Sequence, residues 1–520
     1  MNIKTEHTLN KRYFYKICAN IVTFGIGIIS QAFVARGLGP SSYGSYSFLT
    51  NFFSQLTNFF NMGSSTAFYT KLSNSQKDYT LVLFYFRLVI LVGISVIGFV
   101  ICANITSIDS RIWPNQSILY VYLAAFFGLF AWVVQVINSM ADAYGLTVSA
   151  EIAKIIQKLI GLLFLSILFF TGKLSLVNYF LYQYFIFLLL SILVVKIIYQ
   201  SKCFPKNSWK ISLDALRSHV KSFYTYCHPL FIYSSAALIC VVMDRWMLEK
   251  FSGSVQQGFY GFSYQIGVVC FLFTSAMTPL LMREFSISFG KNDISKMAIF
   301  FRTYIPVLYS IAAFFSCFIV FQASKVIYIL GGDKYKEALW VVTIMALYPI
   351  HQTYGQLSAS VFYSSGQTQL FRNIGVIFLL IGMPVTYFLI APNNLGGLNM
   401  GAIGLAVKMV VIQFLVVNVQ LFFNAKFLKI SFWKYFMHQI LTLVCLLFFS
   451  YLVTVSVEFF LGSSGKYIQS ILISGVVYTI IVFIIFYIYP PLFGLKRIDI
   501  NKARNLLISK FRNNIVNNKL

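Results

Sequence analysis

Long apolar runs separated by short polar stretches form the dominant pattern along this 520-residue chain. A helix that crosses the roughly 30 Å hydrocarbon core of a bilayer needs about 20 consecutive, mostly apolar residues, and no alternation of short strands competes with runs of this length. The pattern therefore predicts an all-α integral membrane protein with about 14 transmembrane helices. In chain order the predicted spans are 14–35, 45–69, 81–103, 117–139, 148–170, 174–195, 223–243, 257–281, 299–321, 338–362, 373–391, 401–423, 436–457 and 468–489.

The composition agrees with this interpretation. Hydrophobic residues make up 58% of the chain and charged residues 10%, whereas charged residues are roughly a quarter of an ordinary soluble domain. The mean hydropathy is +0.77. Both values place the chain in a bilayer.

The positions of Lys and Arg predict how the chain is oriented. If the N-terminus is cytoplasmic, 26 of the 40 basic residues fall in cytoplasmic segments, nine in outer loops and five inside predicted spans. The positive-inside rule then places both termini in the cytoplasm. The formal net charge of +26 is mainly a topology signal and an attraction to anionic headgroups, so no nucleic-acid partner is expected.

Motifs for metal, disulfide or nucleotide chemistry are missing from the sequence. The eight cysteines have no paired spacing, and the five histidines have no metal-ligand spacing. The segment "GGDK" at 331–334 lacks the pattern of a phosphate-binding P-loop. We therefore expect no cofactor, no metal site and no catalytic residue.

One short segment occurs twice. "RGLGPSSYGSYSF" at 36–48 returns 214 positions later as "KFSGSVQQGFYGF" at 250–262, and each copy follows the first span of a group of six. An even number of spans between the copies gives them one orientation, which predicts parallel repeats with a site between two lobes. The predicted parts are an N-terminal lobe at 1–200, a C-terminal lobe at 201–424, and spans 13 and 14 with a basic cytoplasmic tail at 425–520.

The longer segment "FVARGLGPSSYGSYSF" resembles the first-loop signature of bacterial polysaccharide-transport flippases of the O-antigen type, within the multidrug/oligosaccharidyl-lipid/polysaccharide exporter superfamily. "DRWMLEKFSGSVQQGFYGFSYQ" at 244–265 resembles that family's segment after helix 7. The resemblance implies a V-shaped pair of lobes around a central cavity in the bacterial inner membrane. It also implies transfer of undecaprenyl-pyrophosphate-linked oligosaccharide repeat units, of lipopolysaccharide or capsule, to the outer leaflet by alternating access. Candidate partners are membrane lipid and the polymerase and chain-length regulator proteins.

Span 2 carries a polar stripe, defined here as Ser47, Asn51, Ser54, Gln55, Asn58, Asn61 and Ser65. At about 100° per residue these side chains fall within an arc of about 120°, opposite Leu and Phe residues. Neutral amides suit sugar hydroxyls, which need many donors and acceptors, although hydrogen bonding between helices is the alternative role. The predicted sugar-binding residues are Asn51, Gln55 and Asn58, together with His351, Gln352 and Tyr354 of span 10.

Charged residues inside or beside the predicted spans are the remaining candidates. Charges at such depth are costly and often functional, and cations could bind a pyrophosphate. The alternative is snorkelling, since each lies within about 12 Å of an interface at 1.5 Å per residue. We expect Glu151 to be the single acid well inside a span, where it could neutralise Lys154. The candidate pyrophosphate ligands are Arg87, Lys408, Lys154, Lys158 and Arg36, and the candidate gate or ion pair is Asp244 with Arg245.

Two other functions stay open at this point. A multidrug/cation exporter of the same superfamily would favour acids in its cavity, whereas the predicted spans contain five basic residues to one acidic residue. A membrane polysaccharide polymerase or ligase would need a substantial external loop, and every predicted outer loop is short. The sequence therefore favours a transporter over an enzyme.

Overall fold

The computed structural model describes residues 9–61, 64–74, 78–201, 212–227, 231–268, 270, 272–461 and 467–495. These residues are almost entirely helical and contain no strand. Short 3-10 helices occupy Asp333–Ala338, Asn393–Leu395 and Pro490–Phe493. The α-helices are α1 (Leu9–Asn61), α2 (Ser64–Asn74), α3 (Tyr79–Ile105), α4 (Asp109–Ile112), α5 (Ile118–Ala143), α6 (Thr147–Phe170), α7 (Leu176–Gln200), α8 (Leu213–Cys227), α9 (Phe231–Val268), α10 (Leu272–Gly290), α11 (Ile294–Leu330), α12 (Leu339–Met345), α13 (Tyr348–Ser364), α14 (Thr368–Ile390), α15 (Gly401–Leu428), α16 (Phe432–Leu461) and α17 (Tyr467–Ile488).

The predicted all-α membrane fold is confirmed. Within the described ranges, ten helices are long and apolar enough to cross a bilayer. Predicted span 1 and residues 45–61 of span 2 lie on the single helix α1, which counts once. Spans 7, 8 and 10 fall mainly on α9, α10 and the 17-residue α13, which are not among the ten. Helices dominate because a backbone in hydrocarbon must satisfy its hydrogen bonds internally.

The chain divides into two compact units. The first comprises Met1–Gly261, Leu330–Tyr335 and Leu379–Leu405, and the second comprises Phe262–Ile329, Lys336–Phe378 and Ala406–Leu520. The three-part division predicted from the sequence remains a prediction.

The core of the first unit lies between α1, α3 and α5. Phe53 of α1 is fully buried and stacks on Trp113 with ring centroids 5.8 Å apart. A Cβ on Gly128 of α5 would lie 3.1 Å from the Cβ of Phe53, so this glycine lets α5 approach α1 closely. The apolar side of α1 therefore faces the interior of its own unit.

The core of the second unit is built around tyrosines of α11 and α13. Tyr309 and Tyr354 are fully buried, with ring centroids 5.6 Å apart. A salt bridge of 2.9 Å joins Lys325 of α11 to Glu458 of α16. Lys325 is buried because α11 continues to Leu330, beyond the predicted end of span 9 at residue 321.

Candidate functional site

Each copy of the repeated segment contains a glycine with the same unusual backbone conformation. Gly39 has φ 71° and ψ 172°, and Gly253 has φ 80° and ψ 177°. This region of φ and ψ is essentially restricted to glycine. The two copies thus share a backbone geometry, and each glycine interrupts a long helix with a kink.

Hydrogen bonds between equivalent positions span the two kinks. The Nε2 of Gln31 donates to the hydroxyl of Tyr43 at 2.6 Å, and a guanidinium nitrogen of Arg245 donates to Oε1 of Gln257 at 3.0 Å. Both pairs are 12 residues apart, a separation of about 18 Å in a straight helix. Side chains can meet over that distance only because the chain bends sharply at the glycine.

The two copies cross each other with their backbones in contact. A Cβ on Gly44 would lie 1.7 Å from the carbonyl oxygen of Ser254, and a Cβ on Gly258 would lie 2.0 Å from that of Pro40. Gly44 corresponds to Gly258, and Pro40 corresponds to Ser254, in the 214-residue register. Such reciprocal contacts are typical of segments related by a two-fold axis. We call this crossing the glycine junction.

A buried carboxylate lies beside the glycine junction. Glu249 is fully buried, and its Oε1 accepts hydrogen bonds from Ser254 Oγ at 2.6 Å and from Gln116 Nε2 at 2.8 Å. The hydroxyls of Ser45 and Ser254 lie 3.4 Å apart. Glu249 is thus a second buried acid beside Glu151, although it lies between predicted spans 7 and 8 and not inside a predicted span.

The segment "GGDK" packs against the first kink. The Cδ of Lys334 lies 3.6 Å from the position of a Cβ on Gly39. The Cγ of Arg36 lies 3.9 Å from the position of a Cβ on Gly332, while most of the Arg36 side chain is exposed. Arg36 is thus placed at the first kink, beside Gly332.

The candidate gate residues are directed to different partners. Asp244 is buried and accepts a hydrogen bond of 2.6 Å from the hydroxyl of Thr386 in α14. The guanidinium of Arg245 lies 4.3 Å from the ring centroid of Tyr260 and contacts Gln257, so it holds the second kink. Both residues lie in the first unit, close to the glycine junction in sequence and in space.

Most of the polar stripe is turned away from the core of the first unit, whereas Ser65, at the start of α2, is buried against Tyr85 and Trp132. Asn58 is exposed, and Asn51 and Gln55 are half-buried, whereas Leu49 and Phe53 on the opposite side of α1 are fully buried. Ser54 and Asn58 line a small pocket of about 130 Å³ that also includes Thr57 of α1 and Ala131, Trp132 and Gln135 of α5. The middle of the stripe thus presents amides and a hydroxyl on an accessible surface, whereas Oδ1 of Asn51 is buried and Oδ1 of Asn61 accepts hydrogen bonds at the start of α2.

The residues predicted on span 10 do not share one environment. His351 and Tyr354 are buried in the core of the second unit, with His351 packed edge-on against Phe414 of α15. Gln352 is half-buried and accepts a hydrogen bond of 3.3 Å from the Tyr348 hydroxyl. In the conformation described, α11 and α15 cover His351 and Tyr354, and a role of these two residues in sugar binding remains a prediction.

The lysines of α6 and α15 are also dispersed. Lys154 forms a salt bridge of 2.9 Å with the buried Glu151, and Lys158 is exposed one turn further along α6. Lys408 is buried within the second unit. Lys154, Lys158 and Arg87 belong to the first unit and Lys408 to the second, and the role of each as a pyrophosphate ligand remains a prediction.

Arg87 lies in a groove between α1, α3 and α8. The groove has a volume of about 400 Å³ and is otherwise lined mainly by apolar side chains. Its full lining is Phe60, Asn61, Ser64, Phe84, Arg87, Leu88, Leu91, Leu216, Val220, Phe223 and Tyr224. We call it the α3–α8 groove.

Helix α8 is anchored to α2 and α3 by specific contacts. Thr80 Oγ1 lies 2.9 Å from Nε2 of His219, and Phe223 contacts the rings of Phe84 and Tyr85 at 5.2 and 5.9 Å. Lys71 donates a hydrogen bond to the hydroxyl of Ser222. The predicted spans leave 196–222 as a loop, although the apolar residues at 216, 220 and 223 recur at helical spacing and indicate α8.

Comparisons with known proteins place the chain by sequence and by fold. The profile of a family described as polysaccharide biosynthesis protein matches residues 9–283, which is more than half of the chain. No curated protein sequence matches it.

Several solved structures share the fold. Lipid II flippase MurJ in an inward closed conformation is 13% identical over 91% of this chain and 98% of its own, with a TM-score of 0.64. An inward-facing multidrug resistance MATE family transporter of the MOP superfamily is 12% identical over 79% of this chain and 99% of its own, with a TM-score of 0.60. A MOP superfamily transporter from Pyrococcus furiosus is 13% identical over 81% and 96%, with a TM-score of 0.52. At these identities the likeness concerns the fold.

Proposed function

Because the chain belongs to the polysaccharide biosynthesis protein family, we propose that it is a flippase for undecaprenyl-pyrophosphate-linked oligosaccharide repeat units. It carries units of O-antigen or capsule type from the cytoplasmic to the outer leaflet of a bacterial inner membrane, with both of its termini in the cytoplasm. The observation that carries this proposal is the middle of the polar stripe, at Ser54, Gln55 and Asn58, which is accessible along α1 in a fold built mainly from apolar helices. The fold of MurJ, described as a lipid II flippase, supports the same class of substrate.

Sugar binding follows from the chemistry of the stripe. Amide side chains each supply a carbonyl acceptor and two N–H donors, so Asn51, Gln55 and Asn58 can pair with hydroxyl groups of many arrangements. Placing an unpaired amide side chain in hydrocarbon costs several kcal/mol of free energy. We therefore propose that water or sugar hydroxyls form hydrogen bonds with these amides. Because these side chains are neutral, such a surface can bind uncharged sugars through their hydroxyl groups.

The glycine junction is the proposed outer gate. It closes the end of the first unit at which the predicted outer turns lie, and it consists of backbone contacts and short polar side chains. Alternating access requires that such a closure separate when substrate leaves toward the outer leaflet. In this proposal Arg245 holds the second kink in place through Gln257, and Asp244 ties α9 to α14 through Thr386.

The membrane potential is a sufficient driving force in this proposal. With the cell interior negative, each negative charge that moves outward gains about 2.3 kcal/mol per 100 mV. A pyrophosphate carries charge of that sign, so no nucleotide hydrolysis is needed. In this proposal no covalent bond is made or broken, so the protein acts as a transporter and not as a polymerase or ligase.

Replacing an amide of the stripe tests the sugar surface. We expect Asn58→Leu to reduce flipping strongly while leaving the fold intact, because the Asn58 side chain is exposed. Ser95→Leu is the matched control, since Ser95 is exposed on α3 and bonds only to its own helix through the Leu91 carbonyl at 3.0 Å. Equal flipping by the two variants in a vesicle assay would contradict a role for the stripe.

Deletion of the gene in the native host tests the function itself. We expect lipid-linked repeat units to accumulate in the cytoplasmic leaflet, and wild-type protein to restore their export. Single repeats on the outer surface would instead indicate a polymerase. An unchanged glycan would favour export of a different substrate, such as the compounds handled by multidrug transporters of the same fold.

A further inference from the structure

Three kinds of surface follow one another along the first unit. The α3–α8 groove is mainly apolar, Arg87 is the one cation among the described residues that line it, and its lining includes Asn61, the residue at which α1 ends. Asn61 also belongs to the polar stripe. An apolar surface, a cation and a row of neutral polar groups are therefore continuous.

The spacing along α1 keeps these surfaces on one side of the helix. Asn61, Asn58 and Ser54 are separated by three and four residues, so their side chains lie on one face. Ser54 and Asn58 line the small pocket against α5, about 10 Å from Asn61 at 1.5 Å per residue. A ligand in the groove could thus extend along α1 without crossing the core of the unit.

This order of surfaces matches one kind of molecule. A lipid-linked oligosaccharide has an apolar chain, then a pyrophosphate, then neutral sugars. An arginine binds phosphate through paired N–H donors, and the groove volume of about 400 Å³ falls within the roughly 300–1,000 Å³ of ligand sites. An ordinary phospholipid would use the groove and Arg87 but would leave the polar stripe unused.

We propose that the α3–α8 groove is the loading site for the prenyl pyrophosphate end of the substrate. The prenyl chain lies against Leu88, Leu216 and Phe223, the pyrophosphate meets Arg87, and the first sugars reach Asn61 and Asn58. Helix α8 forms one wall of the site and lies on the predicted cytoplasmic side, where the substrate begins its transfer. This inference rests on the proposed function and specifies where the substrate first binds.

Binding of a short prenyl pyrophosphate tests the site. The full-length protein in neutral detergent is titrated with farnesyl pyrophosphate, and the midpoint of thermal unfolding is followed, because a ligand that binds only the folded state raises it. We expect a rise with farnesyl pyrophosphate and much smaller rises with farnesol, inorganic pyrophosphate or a short-chain phosphatidylglycerol. An equal rise with phosphatidylglycerol would overturn the proposal in favour of a general anionic-lipid site.

Two pairs of variants assign the response to the groove. Arg87→Ala should abolish the rise and Arg87→Lys should retain part of it, while Arg283→Ala, which removes an exposed arginine of α10, should respond like wild type. Val220→Glu places a carboxylate in the groove and should also abolish the rise. Ser218→Glu adds the same charge to an exposed position of α8 outside the groove and serves as its control.

The flipping assay separates this inference from the proposed function. If wild-type protein flips the lipid-linked substrate but Arg87→Ala binds farnesyl pyrophosphate and flips equally well, the loading site is rejected and the function stands. If wild-type protein flips nothing, the proposed function is rejected. Loss of both binding and flipping in Arg87→Ala and Val220→Glu, with normal behaviour of both controls, supports the site.

Discussion

Oxidation of a Ser45→Cys/Ser254→Cys variant should stop flipping, and a reductant should restore it. The two serine hydroxyls lie 3.4 Å apart across the glycine junction, so cysteines at these positions place their sulfurs close enough to form a bond of about 2.0 Å. A covalent link there prevents the two copies of the repeated segment from separating. Flipping is measured in reconstituted vesicles before oxidation, after oxidation and after reduction.

Each single cysteine variant controls for the cysteines already in the chain. Oxidised Ser45→Cys and oxidised Ser254→Cys should flip substrate as well as their reduced forms. Mass analysis of the double variant shows whether the new disulfide has formed. A fully oxidised double variant that still flips at the reduced rate would contradict the gate, because the junction would then have no need to open.

Adding one methyl group at the glycine junction should have the second large effect. In Gly44→Ala or Gly258→Ala the new Cβ would lie 1.7 or 2.0 Å from a carbonyl oxygen, a distance that no backbone arrangement of the closed junction can accept. Overpacking of this kind costs about 1–3 kcal/mol or more, and about 1.4 kcal/mol shifts an equilibrium tenfold. We therefore expect both variants to favour the separated junction and to lose most of their flipping activity.

Reactivity of a cysteine reports the position of that equilibrium. Ser45→Cys is half-buried in the closed junction, so a membrane-impermeant maleimide should label it faster when Gly258→Ala is also present. Gly98→Ala is the control, since a Cβ on Gly98 of α3 would meet nothing within 4 Å. Unchanged labelling and unchanged flipping in Gly258→Ala would show that the close approach has no role in the cycle.

Much of the fold could be predicted because few backbone conformations satisfy their own hydrogen bonds inside a bilayer. Long apolar runs must become helices when no water is present to satisfy N–H and C=O groups. The two sides of α1 could also be assigned, since Phe53 and Asn58 differ in polarity and lie on opposite faces at helical spacing. The repeated segment identified equivalent positions, and Gly39 and Gly253, 214 residues apart, have the same backbone conformation.

The rest depends on contacts between residues that are distant in the sequence. Glu249 is buried because Gln116, 133 positions earlier, lies against it. Tyr354 and Gln352 are two residues apart on α13, and only the packing of neighbouring helices decides which of them is covered. Helix α8 was missed because its 15 residues are too few and too polar to resemble a membrane span.

The surroundings of the candidate cations also depend on contacts that the sequence does not reveal. Depth in a span can be counted from the sequence, but the direction of a side chain depends on the neighbours of its helix. Lys154 forms a salt bridge with Glu151, and Lys408 is buried. Arg87 lies in a groove partly formed by α8, a helix that has no long apolar run in its sequence. Their assignment to a pyrophosphate therefore remains a proposal for each residue separately.

Transfer of a fluorescent lipid-linked oligosaccharide across vesicles that contain only the purified full-length protein tests the central claim most directly. Quenching from outside measures the fraction of substrate in the outer leaflet over time. The account predicts that substrate crosses rapidly with wild-type protein and stops crossing with the oxidised Ser45→Cys/Ser254→Cys variant. Transfer no faster than in protein-free vesicles, or transfer that continues through the oxidised junction, would contradict it.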